Sequence, residues 1–246
     1  MARFFVPKKN LDARRGIVDG PELFHLRKVL RLAPGDRITV FDDAGWEHEA
    51  VIRALSAERG EIEILRSYEP ARDSGLRAIL AIGLAKGEKM DFIIEKATEL
   101  GAHAIVPFAS AFSVPKLDEK KIAARAARWE KIALGAVKQC GRTRAPEIFP
   151  LHDFQTLIGA DWRDALKLFF WEKERGQSLG QAHEKHGAAK SVLLVVGPEG
   201  GFSAPEAALA QAHGFEPVHL GPRILRVETA AVAALSLTQF LWGDGQ

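Results

Sequence analysis

The chain has 246 residues, enough for one large domain or two ordinary ones, and its 47% hydrophobic content predicts folded cores rather than disorder. No apolar run approaches the roughly 18 residues of a membrane-spanning helix, and the apolar stretch in MARFFVPKKN is too short for a signal peptide. The formal net charge of +2 does not by itself indicate a polyanion-binding protein, and the single cysteine, Cys140, excludes an internal disulfide and favours a reducing, cytoplasmic setting.

Local charge is less balanced than the total. Residues 1–36 hold eight Lys or Arg against four acids, and residues 118–145 hold eight against three. Two basic segments in a nearly neutral chain indicate a surface that faces a polyanion. Solvated loops and helix faces account for such clusters equally well, so charge alone does not decide between the two explanations.

The first 70 residues show period-2 alternation of apolar and polar residues, with turns about every ten residues. Strands are predicted at residues 3–6, 37–41, 49–55 and 61–65. Short strands with this spacing predict a small sheet or barrel.

One helix interrupts these strands. It opens at Asp19-Gly-Pro-Glu with a capping residue and an early proline. An apolar stripe is predicted along one side and a basic stripe along the other. The apolar stripe is Leu23, Leu26, Val29 and Leu30, and the other side carries His25, Arg27, Lys28 and Arg31.

The pattern changes after residues 69–75, a polar segment with proline and glycine that we interpret as a linker. Beyond it, strands that are apolar throughout alternate with amphipathic helices. The strands are predicted at residues 76–85, 103–108, 166–171, 191–196 and 217–220, and the helices at 88–100, 116–141, 204–213 and 227–242. This alternation predicts an α/β fold with a parallel sheet covered on both faces, and hence two domains, residues 1–70 and 76–246.

Three loops follow strands in this second domain, at residues 171–176, 197–201 and 221–228. If the sheet is parallel, the ends of these strands lie at one edge, where ligands of such sheets bind. The sequence therefore predicts that the three loops build one pocket.

The second loop, GPEGG, holds three glycines in five residues and carries Glu199 but no lysine. It is neither a Walker loop nor a dinucleotide fingerprint, so strong phosphate binding is not favoured. Backbone groups between glycines suit a neutral or cationic ligand that approaches closely. An ordinary glycine-rich turn is the alternative interpretation.

The third loop adds Arg223 and Arg226, which suit an anionic or carbonyl-bearing partner, although either could simply pair with Glu228.

Taken together, these stretches resemble a known family. VGPEGGFSAPE followed by LGPRILRVETAAVAAL is similar to the ribosomal RNA small-subunit methyltransferase E family, of the SPOUT superfamily of knotted S-adenosylmethionine enzymes. Four more stretches agree, in the expected order along nearly the whole chain: RFFV, HLRKVLRLAPGDRITVFDDAG, AKGEKMDFIIEKATELGAHAIVPF and RWEKIALGAVKQCGRTRAPEI.

The resemblance implies a PUA-like β-barrel for RNA followed by an α/β domain with a C-terminal trefoil knot. It implies a homodimer that methylates N3 of one uridine in the 16S rRNA of the small ribosomal subunit, with S-adenosylmethionine as cofactor. S-adenosylmethionine carries a positive sulfur and no phosphate, which explains a turn with glycines and a carboxylate but no lysine. No metal and no membrane partner are expected.

The resemblance also assigns residues. Cofactor binding is expected at the strand ends and loops, namely Phe170, Trp171, Gly197, Pro198, Glu199, Gly200, Gly201, Leu220, Gly221, Ile224, Leu225, Arg226, Thr229 and Ala230. Catalytic candidates are Arg226, which would stabilise the developing uracil anion, and Glu228 or Glu199 as the base. RNA contacts are expected from Arg3, Arg27, Lys28, Arg31, Lys86, Arg142 and Arg144.

Two other functions remain open from the residues alone. A ribose 2′-O methyltransferase would use the same knotted scaffold, and a non-catalytic RNA-binding or ribosome assembly factor could keep the fold without the reaction. The long match to the uridine-N3 family argues against the first. The intact glycine loop and the RILRVETA stretch argue against the second.

Overall fold

The chain was analysed as a computed structural model that describes residues 2–42, 44–113 and 119–245. It divides into two compact units. The first comprises Met1–Asp73 with Val137–Ala145, and the second comprises Ser74–Ala136 with Pro146–Gln246. The predicted boundary near residues 71–75 falls between the units, whereas residues 137–145 were assigned by sequence to the second domain. The extent of the two domains stays a prediction.

The first unit contains a five-stranded sheet in the order β1-β3-β4-β5-β2. Its strands are β1 (Arg3–Phe5), β2 (Arg15–Val18), β3 (Arg37–Phe41), β4 (Glu47–Leu55) and β5 (Gly60–Tyr68). All neighbours are antiparallel except β1 and β3. Strand β2 was not predicted. Its inward positions are Gly16 and Val18, while the large apolar Ile17 points outward, so the usual alternation is missing.

Every strand contributes to one apolar cluster. Phe4 from β1, Ile38 and Val40 from β3, and Ile52 from β4 are completely buried in it. The sheet therefore curls around its own core, as the alternation in the sequence predicted.

The helix of this unit differs from the prediction after its first turn. Helix α1 spans Gly20–Phe24 and continues as a π-helical turn over His25–Val29, in which the N–H of Leu30 donates to the carbonyl of His25. The wider turn rotates the following side chains away from the core. The prediction of one apolar stripe is therefore correct for Leu23 and Leu26, which are buried, and wrong for Val29 and Leu30, which are exposed.

Arg3 explains why residues 137–145 belong to the first unit. Its guanidinium pairs with Glu47 at 3.0 Å and donates to the carbonyls of Val137, Lys138, Gly141 and Arg142, at 3.0–3.2 Å. These carbonyls belong to the last turn of the helix Glu119–Cys140 and to the two residues after it, where the helix dipole favours a cation. The guanidinium of Arg3 therefore binds residues 137–142 to the first unit.

A second buried polar group of this unit is His48 in β4. Its Nδ1 lies 2.8 Å from the Ser67 hydroxyl, and its Nε2 lies 3.7 Å from the carboxylate of Asp42, which itself is completely buried. Burial lowers the pKa of His48 below its ordinary value, and the charge of Asp42 opposes this shift only in part.

We expect this histidine to make the protein less stable in mild acid. The unfolded chain binds a proton at the ordinary imidazole pKa near 6.5, whereas the folded chain resists protonation, so stability falls as pH decreases below that value. In His48→Gln the loss of stability between about pH 7.5 and about pH 5.5, measured by urea unfolding, should be smaller than in the wild type. His213→Gln is the control, because His213 is exposed, and its loss of stability should equal that of the wild type. If His48→Gln also lost as much stability as the wild type, the prediction would be wrong.

The second unit contains a parallel sheet in the order β12-β10-β11-β6-β7-β8, with β9 also paired to β7. The strands are β6 (Arg77–Gly83), β7 (Ala104–Ala109), β8 (Glu147–Ile148), β9 (His152–Asp153), β10 (Leu166–Phe170), β11 (Ser191–Val196) and β12 (Glu216–Val218). The helices are α2 (Lys89–Glu99), α3 (Glu119–Cys140), α4 (Phe154–Gly159), α5 (Leu179–His186), α6 (Ala204–Ala212) and α7 (Val227–Trp242).

Alternate residues of the central strands enter different cores. Leu80 and Ile82 of β6 pack with α2 and α7 on one face, whereas Ile79 and Ala81 pack with α4 and α6 on the other. The predicted α/β fold, with a parallel sheet covered on both faces, is confirmed.

Four short elements of this unit were not predicted: the strands β8 and β9 and the helices α4 and α5. Helix α5 does carry a start signal, since Ser178 and Gln181 form a reciprocal capping box.

None of the helices in the described part of the chain combines the length and apolarity needed to cross a membrane.

Helix α3 offers a simple stability prediction. Gly135 lies exposed within the helix, and a Cβ added there would meet no other atom within 4 Å. Gly135→Ala should raise the free energy of unfolding by roughly 0.5–1 kcal/mol, because alanine loses less backbone entropy in a helix. Urea unfolding measures this change. The opposite result is expected for Gly101→Ala, since Gly101 has a φ of +81°.

Candidate functional site

A cavity of about 510 Å³ lies at the carboxyl edge of the parallel sheet. It is formed by the ends of three neighbouring strands and the loops that follow them, with one residue from α2 and two from α7. Its lining consists of Lys89, Phe170, Trp171, Glu172, Arg175, residues 196–201, residues 218–227 and Ala230.

The order of the strands brings the three loops together. β12, β10 and β11 are adjacent and parallel, so their carboxyl ends meet at one edge. The loops that follow them are the three that the sequence singled out, and all three line the cavity. The geometry follows from topology, because residues 171, 197 and 219 each come directly after a strand end.

The glycine-rich loop packs so closely against the core that two glycines at the contact leave no room for a Cβ. A Cβ on Gly197 would lie 2.8 Å from the ring of Phe202, which is buried among Phe108, Phe154 and Phe169. Gly83 at the end of β6 faces the same loop, and its Cβ would lie 2.9 Å from the carbonyl carbon of Gly197. These aromatic rings and glycines fix the position of the cavity wall.

The loop itself is a tight turn. The N–H of Gly201 donates to the carbonyl of Pro198 at 2.9 Å, and Gly201 has a φ of +67°, in the left-handed region that favours glycine. The carboxylate of Glu172 approaches Gly201, lying 2.6 Å from the point where a Cβ would stand. Glu172 therefore adds a second acidic group to a wall that already carries Glu199.

The first and third loops are tied to each other by backbone hydrogen bonds. The N–H of Trp171 donates to Val218, that of His219 donates to Gln177, and that of Leu179 donates to His219. The His219 ring accepts from the N–H of Gly221 through Nδ1 at 3.0 Å. The segments that carry the first and third loops are therefore connected to each other at the cavity.

Lys89 bridges the two carboxylates that the sequence proposed as alternative bases. Its Nζ lies 3.1 Å from Glu199 Oε1 and 3.6 Å from Glu228 Oε2. Glu199 also accepts the backbone N–H of Lys86 at 3.0 Å. Burial alone would raise the pKa of Glu199, but the backbone N–H groups and the Lys89 ammonium outweigh it, and the pKa is lowered.

Nearly all residues predicted to bind the cofactor line the cavity; the exception is Thr229. Arg226 and Glu199 line it as well, whereas Glu228 does not and reaches the site only through Lys89. Their roles stay predictions. Five further lining residues, Glu172, Arg175, Pro222, Arg223 and Val227, lie in the loops predicted to build the pocket but were not named as cofactor-binding residues. Four were not predicted at all, namely Lys89, Val196, Val218 and His219. Lys89 could have been noticed, since a lysine at the start of a helix is unfavourable.

The residues predicted to contact RNA fall into two groups. Arg27 is half-buried, Lys28, Arg31 and Lys86 are exposed, and none of the four forms an ion pair with the described part of the chain. Arg3, Arg142 and Arg144 are held by intramolecular partners. Arg142 is 6% exposed and donates to Asp73, and Arg144 donates to the carbonyl of Ala44 and to Glu69.

Within residues 2–42, 44–113 and 119–245, no cluster of three or more His, Cys, Asp or Glu side chains has an arrangement that would hold a metal ion.

Two family models match the chain. Residues 72–239 match a model described as an RNA methyltransferase domain, and residues 18–65 match one described as an RNA methyltransferase PUA domain. A parallel sheet with a strand-end cavity, together with these matches, defines the class as RNA methyltransferases with a PUA domain.

Similar proteins narrow the class to one family. Ribosomal RNA small subunit methyltransferase E of Bacillus subtilis is 33% identical over 99% of this chain and 100% of its own length. The crystal structure of the Neisseria gonorrhoeae enzyme of that name, bound to S-adenosylmethionine, is 34% identical over the whole of both chains, with a TM-score of 0.90. A methyltransferase structure from Legionella pneumophila, also with S-adenosylmethionine, is 31% identical over 98% of both chains, with a TM-score of 0.85. The chain belongs to the ribosomal RNA small subunit methyltransferase E family, as its motifs predicted.

Proposed function

We propose that this protein transfers the methyl group of S-adenosylmethionine to N3 of one uridine in the 16S rRNA of the small ribosomal subunit. The observation that carries the proposal is the cavity built from the three strand-end loops. It occurs in a chain that is 34% identical along its whole length to a methyltransferase E bound to S-adenosylmethionine.

The lining of the cavity suits that cofactor. S-adenosylmethionine supplies a methyl group on a positively charged sulfur, and the lining offers the carboxylates of Glu172 and Glu199 to complement the charge. Leu220 and Leu225 would bracket the adenine. The indole N–H of Trp171 is buried and has no partner among the described residues, so it offers a donor to a ligand. A volume of about 510 Å³ lies within the usual range for such sites.

At the uridine, the N3–H bond must break and the N3–CH₃ bond must form, while the S–CH₃ bond of the sulfonium breaks and leaves a neutral thioether. The proton passes to a base, and negative charge develops on the two carbonyl oxygens beside N3. Arg226 is exposed at the cavity and has no ion pair with the described residues, so its guanidinium is available to stabilise that charge. We assign proton removal to the pair Glu199 and Glu228 and not to one of them, because Lys89 couples both carboxylates.

The surface beside α1 suits RNA. The π-helical turn leaves the apolar Phe24 and Val29 exposed next to Lys28 and Arg31. Arg31 has a φ of +54°, a left-handed conformation that is uncommon outside glycine and concentrates at functional sites. Cations would contact phosphates and the apolar side chains would contact bases. Arg3 and Arg142 are left out of this surface because their guanidinium groups are already occupied.

The proposal includes a homodimer. Leu237 and Phe240 on α7 and Phe92 on α2 are exposed, at 42%, 54% and 45%, on two helices that pack together. Apolar exposure on neighbouring helices supports a self-association surface. The mass in solution from light scattering tests it, and a monomer at working concentration would contradict it.

A trefoil knot is also part of the proposal. Strand β12 forms one edge of the sheet, yet the following helix α7 packs on β11 and β6, beyond β10. This return path supports a chain that crosses the other strand-end loops. Pulling a single molecule by both ends tests it, because a tightened knot would leave the extended chain shorter than the full contour.

Action on ribosomal RNA and the single cysteine support a cytoplasmic location.

The first experiment is methyl transfer from labelled S-adenosylmethionine to purified small ribosomal subunits that lack modifications, followed by nucleoside mass spectrometry. N3-methyluridine is the expected product. A 2′-O-methylated nucleoside would replace the proposed reaction with ribose methylation. Cofactor binding by calorimetry without any transfer would contradict this substrate, and absence of both would favour a non-catalytic RNA-binding factor.

A further inference from the structure

Lys89 has a position that helix formation does not explain. It is the first residue of α2, where the helix dipole disfavours a cation and favours aspartate or glutamate. Its side chain nevertheless lines the cavity and is only 35% exposed. The charge is offset by Glu199 from the glycine-rich loop and by Glu228 from α7, so three separate segments meet at one ammonium group.

The environment of this group is strongly acidic. Glu199 and Glu228 are 29% and 21% exposed, so their attraction to Lys89 is only partly screened by water. Oε2 of Glu228 is buried and accepts no hydrogen bond within the described chain. Lys86 contributes its backbone N–H to Glu199. Glu172, the other acidic residue that lines the cavity, forms no ion pair with Lys89.

Removing the ammonium would have two consequences. Two carboxylates would then face each other without a counter-ion, and like charges in a shielded site cannot both stay ionised at low cost. In addition, the glycine-rich loop would lose its side-chain link to the start of α7, the helix that carries the cavity residues Val227 and Ala230.

We infer that Lys89 is a positioning residue for methyl transfer, which ties Glu199 of the glycine-rich loop to Glu228 of α7 and leaves this triad with one net negative charge. That charge complements the sulfonium of S-adenosylmethionine. A pair of carboxylates alone would repel each other, and a neutral site would not attract the cation. The inference rests on the proposed function only for the identity of the cofactor.

The test compares Lys89→Met with Lys89→Arg and with Lys96→Met as a matched control. Lys96 lies on the same helix and pairs with Glu95 and Glu99, but does not line the cavity. The affinity for S-adenosylmethionine is measured by calorimetry from about pH 5 to about pH 8, together with kcat and KM.

For Lys89→Met we expect at least a roughly tenfold loss of affinity at the acid end of this range and a smaller loss at the alkaline end. The reason is that the pKa of Glu199, lowered in the wild type, rises when the ammonium is removed, and the protonated acid no longer attracts a cation. The wild type, Lys89→Arg and Lys96→Met should share one profile, because Glu199 stays ionised in all three.

A double variant separates charge from folding. In a Glu199→Gln background, Lys89→Met should no longer introduce a pH dependence, because the group that titrates is gone. A pH-independent loss in Lys89→Met that arginine does not restore would overturn the inference in favour of a purely structural role. So would an unchanged affinity and kcat. Since these readouts use cofactor binding, they stand apart from the proposed function, which fails if wild-type protein does not methylate the subunit.

Discussion

Replacing Gly83 with alanine is expected to weaken cofactor binding strongly while leaving most of the fold intact. The new Cβ would press on the backbone N of Pro198, and would lie 2.5 Å from its Cδ and 2.9 Å from the carbonyl carbon of Gly197. A backbone cannot rotate away as a flexible side chain does, so the glycine-rich loop must move. Overpacking of this kind costs about 1–3 kcal/mol.

The displaced loop forms one wall of the cavity, so its movement misplaces several contacts at once. We expect a roughly 5- to 150-fold loss of affinity for S-adenosylmethionine, which is the factor that corresponds to about 1–3 kcal/mol. Calorimetry measures the affinity, and circular dichroism reports whether the fold survives. Gly75→Ala is the matched control, because a Cβ at Gly75 meets nothing within 4 Å. Equal affinity in Gly83→Ala and the control would contradict the packing argument.

Arg226→Ala should lower turnover far more than it weakens cofactor binding. Arg226 precedes α7 at the cavity, is exposed, and its proposed task arises only when charge develops on the uracil carbonyls. Loss of one such donor lowers kcat by about 10²–10³. The dissociation constant for S-adenosylmethionine should change by less than about threefold, because the interaction belongs to the transition state.

Two further variants sharpen this comparison. Arg226→Lys keeps the charge but loses the planar fork, so an intermediate kcat is expected. Arg163→Ala removes an exposed arginine that pairs with Asp161 and does not line the cavity, and it should behave as the wild type. If Arg226→Ala lost affinity and kcat in equal proportion, Arg226 would be a cofactor-binding residue and not a catalytic one.

The fold of the second unit was largely readable from the sequence, because strands such as 191–196 are apolar throughout and end at glycine. A parallel sheet then forces the loops after β10, β11 and β12 to one edge, so the location of the pocket was predictable too. What the sequence could not provide were contacts between residues far apart in the chain. The bridge from Lys89 to Glu199 and Glu228 is of this kind, as is the packing of Gly83 on Pro198.

The first unit shows a different limit. Ideal helical periodicity placed Val29 and Leu30 in the core, but a single π-helical turn changes the angular spacing and exposes both. Periodicity also gives no indication that residues 137–145 join this unit. That assignment depends on hydrogen bonds between residues far apart in the chain, from Arg3 to the carbonyls of this segment and from Arg142 and Thr143 to Asp73. Arginines in a basic segment look alike when only the sequence is considered.

The hydrogen bonds from Arg3 to residues 137–142 affect how the protein folds while it is synthesised on the ribosome. The guanidinium of Arg3 is satisfied by carbonyls of residues 137, 138, 141 and 142, which are translated well over a hundred codons after it. The amino-terminal unit therefore cannot reach its final state as soon as its first 73 residues emerge, and must wait until much of the methyltransferase unit has also been made. Contacts so distant in the chain slow folding, and they make completion of the first unit a late event.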